Sequence, residues 1–205
     1  MNKARILLVL LSFLIQLSMT SYTGANEALI KSIDAKVAVI EDFVKKNSNN
    51  YRVNEDITGD SEEPPFTTNT FYSELGDRGQ VLMHELIPTS ESGDWSATYT
   101  HYFDDRGRTI LFKFYSGSFN SGCADILKIT QQYYFDDKFN LIKKVITYTD
   151  KDSRPIQDIK RCDTYGIQRE EPRIYSSHKE ITKEINKNKT PYIKKKTNES
   201  RREGR

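Results

Sequence analysis

The chain has 205 residues, 36% of them hydrophobic, and 31 Lys/Arg against 29 Asp/Glu leave a formal charge of +2. That length fits one domain with a real core, and a near-neutral total argues against a body built to hold nucleic acid. The charge is unevenly placed: Lys3 and Arg5 carry +2, residues 178–205 hold ten Lys/Arg and four Asp/Glu for +6, and residues 26–177 are left at about −6. An acidic body with a basic tail is the result.

Lys3 and Arg5 precede an apolar run from Ile6 to Leu17, and Thr23-Gly24-Ala25 follows with small side chains. Charge, short apolar core and small-residue exit are the order of a cleavable export signal over residues 1–25. The twelve-residue core falls short of the roughly 20 residues that span a bilayer. The mature chain is expected to start at Asn26, with no membrane span after cleavage.

Leu29, Ile33, Val37, Ile40 and Val44 recur at steps of three and four, which predicts an amphipathic helix over 27–46. Asn26 is its expected cap, and Asn47-Ser48-Asn49-Asn50 its stop. Residues 47–66 are polar, end in Pro64-Pro65 and read as a loop.

The period then changes to two. Three strand–turn–strand segments are expected over 67–149: Thr67–Leu75 with Gln80–Ile87, Trp95–Phe103 with Arg108–Tyr115, and Asp125–Phe135 with Leu141–Thr149. Asp and Gly in the turns supply local hydrogen bonds and positive φ. Tyr102-Phe103-Asp104-Asp105-Arg106 recurs as Tyr134-Phe135-Asp136-Asp137-Lys138, and the first hairpin matches weakly through Asp77-Arg78-Gly79. Repeated hairpins stack most simply as an antiparallel meander. Phe139 stands where the second turn has Gly107, so that turn is expected to be longer, with Asn140 left-handed. Ser116–Gly122 reads as the connector between the last two hairpins.

Within the C-terminal segment 150–188, Arg154–Cys162 fits a helix or an edge strand, and Glu170–Tyr175 looks extended. Ser177-His178-Lys179-Glu180 has capping-box spacing ahead of a short helix. Residues 189–205 read as a disordered basic tail. The fold expected for 26–188 is a single α+β domain: an antiparallel meander of about six strands, packed on an N-terminal helix, with a short C-terminal helix. The Tyr-Phe-Asp-Asp-x-Gly hairpin pattern resembles exported bacterial proteins built of repeated β-hairpins, loosely of the MORN-variant or YD-repeat kind, over about residues 70–150. The resemblance implies an extracytoplasmic sheet module and supplies no catalytic residues.

Export permits a disulfide, and Cys123 and Cys162 are the two cysteines. Their pairing would close a loop worth roughly 3–4 kcal/mol of chain entropy. His84-Glu85 begins like a zinc-protease motif, but Pro88 stands where the second histidine belongs. His101 lies on an apolar strand face and reads as a hydrogen-bonded core residue. Turn chemistry accounts for Asp104-Asp105 and Asp136-Asp137, while Asp150, Asp152 and Asp158 form a looser cluster lacking the glycine a calcium loop uses. No catalytic residue, metal site or cofactor is expected.

Strand alternation places Thr100, Tyr102, Lys113, Tyr115, Gln132 and Tyr134 opposite the Tyr99/Phe103 face. If the helix covers the Tyr99/Phe103 face, these six form an open polar-aromatic face suited to binding. The expected function is a non-enzymatic extracytoplasmic binding or scaffolding module for a protein or cell-envelope ligand, with no nucleic acid. A small secreted hydrolase assembled from scattered residues such as His101, and a secreted inhibitor or effector, are the competing readings. No pattern specifies an oligomeric state.

Overall fold

The computed structural model describes residues 26–47, 51–57, 65–74, 79–89, 95–119, 121–162 and 172–187. The expected export signal over residues 1–25, most of the first hairpin turn and the expected basic tail over 189–205 lie outside the described residues. A helix, α1, spans 26–47, so Asn26 is already helical. Seven strands follow: β1 Arg52–Ile57, β2 Phe66–Tyr72, β3 Val81–Pro88, β4 Trp95–Phe103, β5 Thr109–Phe119, β6 Ile126–Phe135 and β7 Leu141–Thr149. They form one antiparallel sheet in chain order, β1 to β7. A 3-10 turn at Ile159–Arg161 and a second helix, α2, at His178–Ile185 complete the α+β fold.

The strand count corrects the expectation of six. Residues 52–57 were expected in a loop, yet they pair along β2 from Arg52↔Phe71 to Ile57↔Phe66. Arg52 to Asp56 are all exposed, so this edge strand shows no apolar alternation and is held by its backbone ladder. β5 also runs on through Ser116-Gly117-Ser118 to Phe119, where a connector was expected.

The three long hairpins share one irregularity. Register shifts fall between Phe71 and Tyr72, Tyr102 and Phe103, and Tyr134 and Phe135. The extra residues on the returning strands, Leu82, Ile110 and Ile142, all pack toward α1. A bulge at the same place in each copy adds an apolar contact and bends the sheet. It also identifies the first hairpin as a full copy, with Phe71 matching Tyr102 and Met83 matching Leu111. The two strands match at different offsets because the first turn is longer, which is why the copy is faint in the sequence.

The turns are equally alike. Asp104 Oδ1 accepts the backbone N–H groups of Arg106 and Arg108 (2.9 Å each), and Arg108 Nε donates back to Oδ2 (2.8 Å). Asp136 does the same with Lys138 and Asn140. Asp150 repeats it with Asp152 and Arg154, making the loose acidic cluster a third turn of this type. Thr149↔Pro155 begins a further pairing that ends at once. The fourth turn residue is left-handed each time: Gly107 at φ 73°, Phe139 at 64° and Ser153 at 65°. Phe139 itself therefore takes the conformation expected of Asn140, and the turn is not longer. Its ring stacks on Phe135 with centroids 4.4 Å apart, a contact glycine cannot make.

Both faces of the sheet are covered. α1 packs Ile33, Val37 and Ile40 onto Phe71, Met83, Tyr102, Leu111 and Tyr134. On the opposite face Phe103, Phe112, Leu86 and Leu127 are fully buried beneath Tyr175 and Ile181 of the C-terminal segment. This reverses the expected placement of the helix. Both sheet faces carry enough apolar surface to receive a helix, so alternation alone cannot choose between them. Cys123 and Cys162 form a disulfide that ties the β5–β6 connection to the 3-10 turn.

Candidate functional site

Continuous register sorts the α1 face into rows that run across the strands. Phe71, Met83, Tyr102, Leu111 and Tyr134 lie directly opposite one another and form the row beneath α1. The next row is polar: Asn69, Glu85, Thr100, Lys113 and Gln132. Beyond it come Thr98, Tyr115, Thr130 and Thr147, then Ser96, Gly117, Lys128 and Thr149.

The six residues singled out in the sequence therefore share a face but divide over three rows. Tyr102 and Tyr134, expected to be open, are 4% and 6% exposed beneath α1. Their hydroxyls donate to helix carboxylates, Tyr102 to Glu41 Oε1 at 2.7 Å and Tyr134 to Asp34 Oδ1 at 2.9 Å. Thr100, also expected to be open, is 6% exposed, while Lys113 and Gln132 in the same row are half-buried. Lys113 Nζ reaches the same Glu41 oxygen at 2.7 Å and lies 5.0 Å from the centre of the Tyr102 ring. Gln132 Oε1 also accepts from the Tyr134 hydroxyl. Burial raises Glu41, but hydrogen bonds from Lys113 and Tyr102 outweigh it and hold the carboxyl below its usual range. Burial and the Glu41 contact push the Tyr102 hydroxyl up, so it stays a donor.

Tyr115 stands apart, 42% exposed, with Thr98 and Thr130 directly opposite it on either side. Its hydroxyl lies 3.9 Å from where a Cβ on Gly117 would stand, so the ring extends along β5 over the glycine. Phe119, two residues past Gly117 on the same face, is 51% exposed. Sequence reading ends the expected strand at Tyr115, before Ser116-Gly117-Ser118, and so misses Phe119. It also missed Glu85 and Asn69. Burial raises the Glu85 carboxyl, and Asn69, 5% exposed, directs its amide toward Glu85.

A second polar region lies on the other face. A cleft of about 120 Å³ separates β1–β3 from α2 and is lined by Glu55, Thr70, His84, His178, Thr182 and Asn186, among others. His84 Nδ1 is 2.9 Å from the Thr70 hydroxyl, and the His84 and His178 rings are 6.1 Å apart. His84 and Glu85 point to opposite faces of β3, so they cannot act as one motif. His101 is fully buried and accepts the Tyr175 backbone N–H at Nε2 (3.1 Å). That bond occupies the nitrogen a base would use and fixes the core reading of His101. Among the described residues no group of three or more His, Cys, Asp and Glu is arranged to hold a metal ion.

No protein-family model, curated protein or solved structure matches the chain. No helix among the described residues is long and apolar enough to cross a membrane.

Proposed function

We propose that the chain is an exported, non-enzymatic binding module that engages a protein or cell-envelope ligand through the part of the sheet face beside α1. The observation that carries this reading is the exposed Tyr115 ring, flanked by Thr98 and Thr130 and followed by Phe119 on the same strand face. An aromatic ring with a polar tip supplies contact area at low entropic cost, and neighbouring hydroxyls supply directional bonds. β5 is paired on both sides, so its backbone is spent within the sheet and recognition falls to side chains. Thr100, Lys113 and Gln132 adjoin this area, while Tyr102 and Tyr134 seat the helix. The disulfide accords with an oxidising compartment, and residues 1–25 supply the export signal.

The test uses the mature protein and a Tyr115→Ser/Phe119→Ser double variant as baits against envelope and culture fractions of the producing organism. A partner enriched by the wild type and lost with the double variant supports the reading. Equal enrichment by both moves the contact elsewhere, and no enrichment by either favours hydrolase substrate screens instead. N-terminal sequencing of the exported protein should begin at Asn26.

A further inference from the structure

The three histidines of the chain, distant in sequence, converge where the C-terminal segment lies on the sheet. His84 and His101 are directly opposite on β3 and β4. His178, at the start of α2, sits 6.1 Å from His84 and edge-on to Phe103 at 5.7 Å, ring to ring. The segment is fastened here at several points. Tyr175 N–H donates to His101, the Thr109 hydroxyl donates to the Tyr175 carbonyl at 2.7 Å, and His178 N–H donates to the Gly107 carbonyl at 3.1 Å. Ile181, fully buried, anchors the helix beyond.

The bond from Tyr175 requires an unprotonated Nε2 on His101, so a protonated ring would face a donor with a donor. Charges on His84, His101 and His178 would also repel one another at close range in a largely buried site. Other ionisable groups surround the cluster on every side. β1 brings Glu55 and β2 brings Tyr72 to the cleft, while β4 adds Tyr99 and β6 adds Tyr133 among the rings. On the segment itself Arg173 lies over Tyr175 and pairs with Glu184, and Glu180 accepts the Ser176 N–H. Lys179 and Lys183 of α2 are exposed.

We propose that residues 172–187 form an acid-released strap: protonation of the His84–His101–His178 cluster lifts Tyr175 and α2 from the sheet, while the Cys123–Cys162 bridge holds the chain before them in place. Release uncovers the Phe103/Phe112 face of the sheet. Burial supports the direction, since it holds all three imidazoles below their ordinary value of 6.5, His84 at about 3 with His178 adding repulsion. The strap is therefore fully held above pH 6.5 and loses its hold as pH falls below it.

Hydrogen–deuterium exchange on the intact, oxidised protein tests this. Amides of 173–185 should lose at least about tenfold protection between pH 7 and pH 5, after correction for intrinsic rates, while those of β4–β6 keep theirs. His178→Gln, at the half-buried rim of the cluster, should flatten that pH response, and His84→Gln should do so independently. Unchanged strap protection at pH 5 overturns the proposal. So does simultaneous loss across strap and sheet, which is global acid unfolding, and so does a full response in both variants.

Discussion

The two faces of the sheet are closed by different chemistry. On one, α1 rests on tyrosines whose hydroxyls bond Asp34 and Glu41, with Lys113 and Lys36 pairing Glu41 and Asp105 at 2.7 and 2.6 Å. On the other, the strap rests on phenylalanines and neutral histidines, and a disulfide secures its approach. The first closure depends on ionised carboxylates and the second on uncharged imidazoles. Acid therefore reaches them in sequence: the strap weakens below pH 6.5, whereas the Glu41 contacts persist until pH falls below about 4.5.

The largest expected effect separates the faces by packing. Phe112 is fully buried on the strap face, with His101, Tyr99 and Tyr133 around its ring. Phe112→Ala should cost about 3–5 kcal/mol in urea unfolding. Ile40→Ala, beneath α1, should cost about 2–4 kcal/mol, nearer the lower figure because an interface at one edge of a helix can relax. A larger loss for Ile40→Ala would make the helix face the principal core.

A smaller effect isolates the polar closure. Tyr102→Phe removes the hydroxyl but leaves Glu41 its Lys113 partner. The expected cost is about 1 kcal/mol at neutral pH. Folding lowers the Glu41 pKa from its ordinary 4.5, so its stabilisation is present above that value and lost as pH falls through the lowered one. Tyr102→Phe should therefore shrink the loss of stability below pH 4.5 and leave the response between pH 6.5 and 5 unchanged. A change in the upper range would show that the two closures are coupled.

The same contrast explains what could be read from the sequence. β4 and β7 were legible to the residue, because Asp-containing turn sequences bracket them and both are rich in β-branched and aromatic residues. β1 was not, because its residues offer no buried face. The side on which α1 lies was hidden because both sheet faces carry buried apolar residues, and the bonds of Asp34 and Glu41 to tyrosine hydroxyls join residues distant in sequence that look like ordinary surface acids. For the candidate site, alternation put all six residues on one face, but which row α1 covers depends on register across five strands. The Asp150 turn was hidden by Ser153, which stands where the second hairpin turn has Gly107.

Phe139 and Ser153 allow the smallest and sharpest test of the strap face. Both are left-handed at φ 64° and 65°, a conformation that costs a non-glycine residue roughly 1 kcal/mol. Ser153 is exposed, and its backbone N–H bonds Asp150 whatever its side chain. Ser153→Gly should therefore stabilise the protein, by at most about 1 kcal/mol because glycine also loosens the unfolded chain. Phe139 occupies the equivalent place but lays its ring on Phe135 at the margin of the strap-face core. Phe139→Gly gains the same backbone relief and loses a stacked ring, worth about 0.5–1.5 kcal/mol beyond its buried area. Its net effect should be destabilising, by about 1 kcal/mol or more. Opposite signs in thermal unfolding of the two variants would show that the strap face holds Phe139 in its strained backbone, whereas stabilisation by both would reduce the Phe135–Phe139 stack to a passive contact.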